Sequence, residues 1–193
     1  GTYTLRQASN SHEIEALSQK LLGLDVDIVS GEEEARLVYK GAQMHWPHEK
    51  MLVVDIGGGS TEIIKGQGPN IEHYHSYNLG SASLSKQYFN TNLIDAQQFE
   101  QAIHAAKSHI QEAMEAFGSV EGYQCIGASG TIRTIAALAS GEESLPAAQF
   151  DFNHMLDIEQ SLIHQDVRKL LLPGLREDRA RVLPGGLALL MAI

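Results

Sequence analysis

The segment Asp55-Ile56-Gly57-Gly58-Gly59-Ser60-Thr61-Glu62 constrains the fold more than any other part of this chain. The apolar run Met51-Leu52-Val53-Val54 precedes it and Ile63-Ile64 follows it. That pattern predicts a glycine turn between two strands, with hydroxyls in the turn and an acid on each side. Three successive glycines let the backbone approach a ligand and adopt dihedral angles that a Cβ forbids. Turned inward, their N–H groups form a concavity for an anion. Asp55 is placed to hold a divalent cation over a phosphate, and Glu62 to reach the same place from the next strand. A Walker phosphate loop needs a Gly-Lys-[Ser/Thr] ending, and the dinucleotide fingerprint opens a helix. This turn leads into a strand, so neither applies. An ordinary glycine hairpin with surface acids is the bland alternative. The two flanking strands, the Ser60-Thr61 pair and Glu62 weigh against it.

Length and charge narrow the classes. A chain of 193 residues can bury a real core, as one large domain or one domain plus a piece. Its 43% hydrophobic and 20% charged residues are ordinary globular values. No apolar run approaches the ~18–20 residues of a membrane helix, so no membrane partner is expected. The net charge of −10 argues against a nucleic-acid or polyanion-binding surface. A phosphate-rich ligand would be met locally, by glycine amides, a metal and a few basic side chains. The single Cys125 allows no internal disulfide and fits a reducing, cytoplasmic setting. Both ends read as cut. Gly1 to Leu5 resembles the tail of a strand entered midway, and Leu187 to Ile193 an apolar helix without a polar cap. A fragment of a longer protein is expected.

Along the chain, Asn10-Ser11-His12-Glu13 has the form of a capping box. The helix it opens carries Ile14, Leu17 and Leu21 on one face and stops at Gly23. Val26 to Val29 reads as a short strand. A second helix after Gly31 passes through Glu32-Glu33-Glu34 to Tyr39 and ends at Gly41, its acids matching the helix dipole. Residues 43–50 form a polar linker. Strands near 51–56, 61–65 and 71–77 make a meander around the glycine turn, and a helix over 82–89 follows. Asp95-x-x-Gln98 opens the clearest helix, with Phe99, Ile103, Ala106, Ile110, Met114 and Phe117 at steps of three and four. Gln124-Cys125-Ile126 reads as a buried strand running into Gly127-Ala128-Ser129-Gly130-Thr131 and a helix over 132–139. The second glycine turn thus opens a helix N-terminus, another anion site. Ser140 to Pro146 reads as a loop. The remainder looks helical, broken at Pro173-Gly174 and at Pro184-Gly185-Gly186. This order of elements indicates α/β layers.

Three separated segments share one theme: Ser30-Gly31-Glu32-Glu33-Glu34-Ala35-Arg36, the Asp55–Glu62 turn and Gly127–Thr131. With Thr4-Leu5-Arg6 and the ending Leu183-Pro184-Gly185-Gly186-Leu187-Ala188, they closely resemble the exopolyphosphatase / guanosine pentaphosphate phosphohydrolase family over essentially the whole chain. The resemblance implies an α/β fold of the actin-like (ribonuclease H-like) superfamily, a mixed sheet flanked by helices. Residues 1–45 would close a first domain and residues 46–193 form the second. The first-domain phosphate loop of the D-x-G-S-N-S type is missing, since the only D-x-G is at Asp55, so this fragment alone is expected to be feeble. The implied reaction is removal of a terminal phosphate from inorganic polyphosphate or guanosine pentaphosphate by water, with Mg²⁺. Glu34 matches the general base, and Asp55 and Glu62 match acids that hold Mg²⁺ or orient water. Gly57, Gly58, Gly59, Ser60 and Thr61 would contact phosphate, as would Arg6 and, less distinctively, Ser129, Gly130 and Thr131. The full-length protein is expected to be a homodimer.

Each assignment has a plainer counterpart. Glu34 could be a surface helix acid, Arg6 a structural ion pair, and Gly127–Thr131 a packing turn. Glu32 and Glu33 read as solvated dipole partners. His45-x-x-His48 and His73-x-His75 lack metal-ligand spacing, and Cys125 reads as a buried strand residue. The Glu32–Glu34 triplet leans to guanosine pentaphosphate and the three glycines to polyphosphate. Two rivals stand beside the hydrolase: an ATP-using kinase or ATPase, which would need an adenosine-binding glycine pair that Gly185-Gly186, in a Pro-Gly-Gly helix start, only mimics, and a non-catalytic phosphate or alarmone sensor.

Overall fold

A computed structural model describes residues 1–141 and 148–193. Its elements in chain order are α1 (Tyr3–Gln7), α2 (Ser11–Leu22), α3 (Gly31–Gln43), β1 (Lys50–Ile56), β2 (Thr61–Gln67), β3 (Asn70–Tyr77), α4 (Ser81–Tyr88), α5 (Ala96–Glu115), β4 (Gln124–Gly127), α6 (Gly130–Ser140), α7 (Phe152–Leu162), α8 (Glu177–Ala180) and α9 (Leu183–Ala192). The strands form one mixed sheet in the order β3-β2-β1-β4. β1, β2 and β3 are the expected antiparallel meander, and β4 runs parallel to β1.

Alternation along the strands assigns each side chain to one of two faces. Leu52, Val54 and Ile56 of β1, with Ile63 and Tyr77, enter the larger core with α4, α5, α6 and α9. Met51, Val53, Ile64 and Ile126 face the other way and pack beneath Ala35, Tyr39 and Ala42 of α3. The polar residues Asp55, Glu62 and Ser76 lie on this second face by the same alternation, at the end of the sheet nearest the glycine turn.

α9 is the central helix of the larger core, buried from Leu183 to Leu189. Its first turn is Leu-Pro-Gly-Gly, so Pro184 starts a helix here instead of breaking one, as its missing N–H allows in the first turn. The small residues let α9 press against α4, where the Gly185 N–H donates to Ser85 Oγ at 3.0 Å. Toward the end of the sheet away from the glycine turn, Lys65 Nζ donates to the carbonyls of Phe117 and Ser119, both at 2.7 Å, and ties the end of α5 to the sheet.

Several local expectations give way to tertiary context. Tyr3 to Gln7 is a helical turn rather than a strand tail. Val26 to Val29 is extended but has no place in the sheet; it meets Gly1, whose carbonyl accepts from the Val29 N–H and whose amino group donates to Asp27 O, and the Val29 carbonyl accepts from Arg6 Nη1. Asn10 caps α2 without a side-chain bond. α3 passes through Gly41 and ends at Gln43, because its face stays buried to Ala42. Cys125 is exposed, since β4 lies at the sheet edge with only Ile126 of its residues buried. After α7, residues 163–176 are irregular rather than helical. The loop expected over 140–146 has Ser140 inside α6 and Gly141 as its left-handed cap; its remaining residues lie outside the described ones. The Asp95–Gln98 capping box is present as expected, with Gln98 N donating to Asp95 Oδ1 at 2.8 Å.

The N-terminus of α4 touches the glycine turn directly. A Cβ on Gly80 would lie 2.5 Å from Gly58 C and Gly59 N, so only a glycine fits there without displacing backbone. Gly80→Ala is therefore expected to cost about 1–3 kcal/mol through overpacking against backbone, measured by urea unfolding. An unchanged midpoint would show that the turn yields freely.

Candidate functional site

The site is built at the end of the sheet where β1 and β4, being parallel, both finish. Ligands of α/β sheets characteristically sit at the carboxyl ends of parallel strands. The first turn leaves β1 at Ile56 and returns at Thr61, closed by the Gly57 N–H donating to Ser60 O at 2.9 Å. The carbonyl of Gly57 accepts from Ser81 N and from Ser81 Oγ, and that of Gly58 from Ala82 N and Ser83 N, so the start of α4 consumes both. In a trans peptide the N–H points opposite the C=O of the same unit. The amides of Gly58 and Gly59 are thereby aimed away from α4. Gly57, in contrast, has spent its N–H inside the turn. Ser60 and Thr61 are buried, and Thr61 Oγ1 has no partner.

Below the turn lie the acids. Register places Asp55 directly opposite Glu62, and Glu62 opposite Ser76. Glu62 is 1% exposed. Its Oε1 accepts from Ser76 Oγ at 2.7 Å, while Oε2 is buried without a partner. The Ser60 hydroxyl lies near enough to favour the charged form but makes no well-formed bond to Oε2. Glu34 reaches this place from the first turn of α3. That turn is held by the Ser30 N-cap, whose Oγ accepts from Glu33 N at 3.1 Å.

The electrostatics follow from burial and like charge. Desolvation, with Glu34 adding repulsion, pushes the Asp55 carboxyl up to about 6. Desolvation pushes Glu62 up to about 7; the Ser76 bond opposes this, and the charges of Glu34 and Asp55 reinforce it. Arg6 offsets part of this negative charge. Its Nη1 donates to Glu34 Oε2 at 3.0 Å and to Val29 O at 2.9 Å, and both side chains of the pair are largely buried. Arg6 thus orients Glu34. The ring of Tyr3, one turn earlier, lies over Gly59, with the Arg6 guanidinium 5.9 Å from its centre.

The second turn lies beside the first, because the Ala128 N–H donates to Val54 O at 2.9 Å. Its Ser129 and Thr131 side chains face inward. Ser129 Oγ caps α6 by accepting from Ile132 N, and Thr131 Oγ1 donates to Ser81 Oγ at 3.5 Å. What this turn presents outward is Gly130, with the guanidinium of Arg179 standing over it. Arg179 was invisible to sequence reasoning, because no local pattern marks a basic residue forty-nine positions beyond Gly130 as its neighbour. Ser76 and Tyr3 were missed for the same reason.

Asp55 and Glu62 suit a divalent cation. They offer hard oxygen donors, and Glu62 Oε2 is an orphaned buried atom that a cation would satisfy. Among the described residues no group of three or more His, Cys, Asp or Glu is arranged to cage a metal. A cation here would take the rest of its ligands from phosphate oxygens and water, the habit of Mg²⁺. Two of the histidines set aside as metal ligands pack on aromatic rings: His73 meets Phe117 edge-on at 4.4 Å, and His45 meets Trp46.

Two glycine turns over a mixed sheet, with carboxylates beneath and helices on both faces, define an α/β domain of the actin-like, ribonuclease H-like class. Comparison with known proteins makes this specific: the chain belongs to the Ppx/GppA phosphatase family, whose pattern matches residues 1–193. It is 38% identical to the guanosine-5'-triphosphate,3'-diphosphate pyrophosphatase of Pseudoalteromonas translucida and 34% identical to that of Photobacterium profundum. Each match takes in 100% of this chain and 39% of the relative, so the chain spans well under half their length. Among solved structures, an exopolyphosphatase-like protein superposes with a TM-score of 0.85 at 25% identity, over 98% of this chain and 62% of that one. An exopolyphosphatase from Cytophaga hutchinsonii gives 0.83 at 24% identity, over 98% and 64%, and supports the fold. Among the described residues no helix is long and apolar enough to cross a membrane.

The raised carboxyls make a stability prediction. The folded state keeps protons on Asp55 and Glu62 that the unfolded chain, titrating near 3.8 and 4.5, has already released. The native state then binds more protons, so these groups lower stability as pH rises from about 4 to about 7. Without divalent cations, Tm should fall across that window, and Glu62→Gln should flatten the decline. A slope identical in the variant would show that Glu62 is not the titrating group.

Proposed function

We propose that this chain is the acid-bearing portion of a phosphohydrolase that removes the terminal phosphate of guanosine pentaphosphate, inorganic polyphosphate or both. The observation that carries the reading is the convergence of Glu34, Asp55 and Glu62 beside a glycine turn whose Gly58 and Gly59 amides face outward. Guanosine pentaphosphate is favoured by the two relatives named for that activity. Residues 1–45 are assigned to the end of a first domain and 46–193 to the second, with the substrate between them and the enzyme in the cytoplasm.

The roles follow from placement. Gly58, Gly59 and the buried Ser60 cradle the terminal phosphate, with amides that need no reorganisation as charge develops. Gly57 and Thr61 shape the turn without donating from Gly57's amide. Arg179 above Gly130 meets further phosphate charge at the second turn, where Ser129 and Thr131 hold the helix end in place. Glu34, oriented by Arg6, accepts the proton of the attacking water. Asp55 and Glu62 would hold Mg²⁺, which when bound supplies charge neutralisation at phosphate oxygens. Tyr3 and α3 exclude water from one side of the turn.

The ATP-using rival finds no adenosine site in the glycine pair of α9. Gly185 and Gly186 are buried in α9 against α4 and Thr131 of α6, leaving no surface for an adenosine.

The test is phosphate release by the full-length gene product that contains this chain, with Mg²⁺, on guanosine pentaphosphate and long-chain polyphosphate side by side. Turnover of either is expected, and Glu34→Gln should lower kcat by about 10²–10⁴-fold, the usual worth of general-base catalysis. Wild-type turnover in that variant would remove Glu34 from the mechanism. A folded protein that turns over neither substrate would leave a binding module in place of a hydrolase.

A further inference from the structure

Ser76 stands on β3 and takes no part in the roles above, yet it touches two of the site's supports. Its Oγ donates to Glu62 Oε1 at 2.7 Å. It also lies under Gly31, the first residue of α3. A Cβ built on Gly31 would run into Ser76 Oγ and come within 2.8 Å of Ser76 Cβ. Gly31 stands three residues before Glu34, so one hydroxyl sits between the acid of the sheet and the helix that delivers the acid above it.

The two oxygens of Glu62 are thereby made unequal. Oε1 is satisfied by Ser76, and Oε2 is left as the orphan. A buried carboxylate with one fixed oxygen has one orientation, and its free lone pairs are directed to a single place. With Oε1 released, the carboxyl could turn about its terminal torsion, whose preferences are broad.

We propose that Ser76 is a positioning residue for the phosphohydrolase reaction, pinning Glu62 Oε1 so that Oε2 is presented to the ligand. The inference rests on the function proposed above. Ser76 touches no substrate and acts through Glu62 alone in the chemistry.

Two variants of the full-length protein test it. Ser76→Ala removes the donor, and Ser76→Cys keeps a side chain of similar size with a much weaker donor. Both should lower kcat by about tenfold or more, in line with the effect of misplacing a catalytic group, while KM for guanosine pentaphosphate stays within about twofold. The loss should vanish on a Glu62→Gln background, because an amide held or released at Oε1 no longer supplies the carboxylate. Full kcat in both variants overturns the proposal, as does a loss of equal depth on the Glu62→Gln background. A Ser76→Cys variant with full kcat beside an impaired Ser76→Ala also overturns it, since packing alone would then explain the defect. A parent without turnover sinks the proposed reaction together with the role of Ser76, whereas a Glu62→Gln variant with full turnover removes Glu62, and Ser76 with it, from the mechanism and leaves the reaction standing. A Glu62→Gln variant that loses turnover beside an unaffected Ser76→Ala sinks the role of Ser76 only.

Discussion

The antiparallel pairing of β1 with β2 sets two acids side by side: Asp55 faces Glu62 across the ladder, one register step from the glycine turn. Like charges directly opposite each other destabilise a sheet, and burial of Glu62 makes the pair more costly still. The neighbouring structure answers that cost. Ser76 bonds one oxygen of Glu62, Arg6 pairs with the third acid Glu34, and both carboxyls on the sheet are pushed toward their protonated forms. A cation between them would favour the ionised forms and relieve the repulsion. The site is thus electrostatically incomplete, a condition the fold sustains because β1 and β2, which carry the pair, are well buried.

The same pairing explains why two anion-binding turns stand together. β4 runs parallel to β1, so both strands release their turns at one end of the sheet. α4 and α9 then lock the turns to each other. The carbonyls of Gly57 and Gly58 are taken by the first amides of α4, and Ser81 of that helix reaches toward Thr131 at the start of α6. α9 supplies the small residues that let these helix ends crowd together. The outward-facing amides are therefore a consequence of helix packing on the opposite side of the turn. Preorganised donors of this kind hold their direction because the groups behind them cannot move independently.

Where the sequence was misread, packing overrode a local signal. Val26 to Val29 has the composition of a strand, but its backbone bonds go to Gly1 and to the Arg6 side chain and not to the sheet. Pro184-Gly185-Gly186, a break between helical segments in the sequence, is the first turn of α9, where proline is tolerated and the glycines serve close contact with α4 and α6. Cys125 sits in an apolar trio, but an edge strand buries few of its residues. Ser129 and Thr131 have the side chains of a phosphate loop and use them to cap α6 and brace α4.

The sequence by itself determined the strand–turn–strand around Gly57–Gly59, the long helix opened by Asp95 and Gln98, and the presence of Asp55 and Glu62 in one site. These depend on alternation, local turn residues and capping bonds, which operate within about four residues. The family pattern added Glu34. Only the tertiary structure decided which groups meet. Arg6 finds Glu34 across twenty-eight positions, Ser76 finds Glu62 across fourteen, and Arg179 comes to stand over Gly130. The ionisation of the acids was equally out of reach, because it depends on how far α3 and the neighbouring strands exclude water. Burial and charge pairing are properties of packed elements, and no window along the chain contains them.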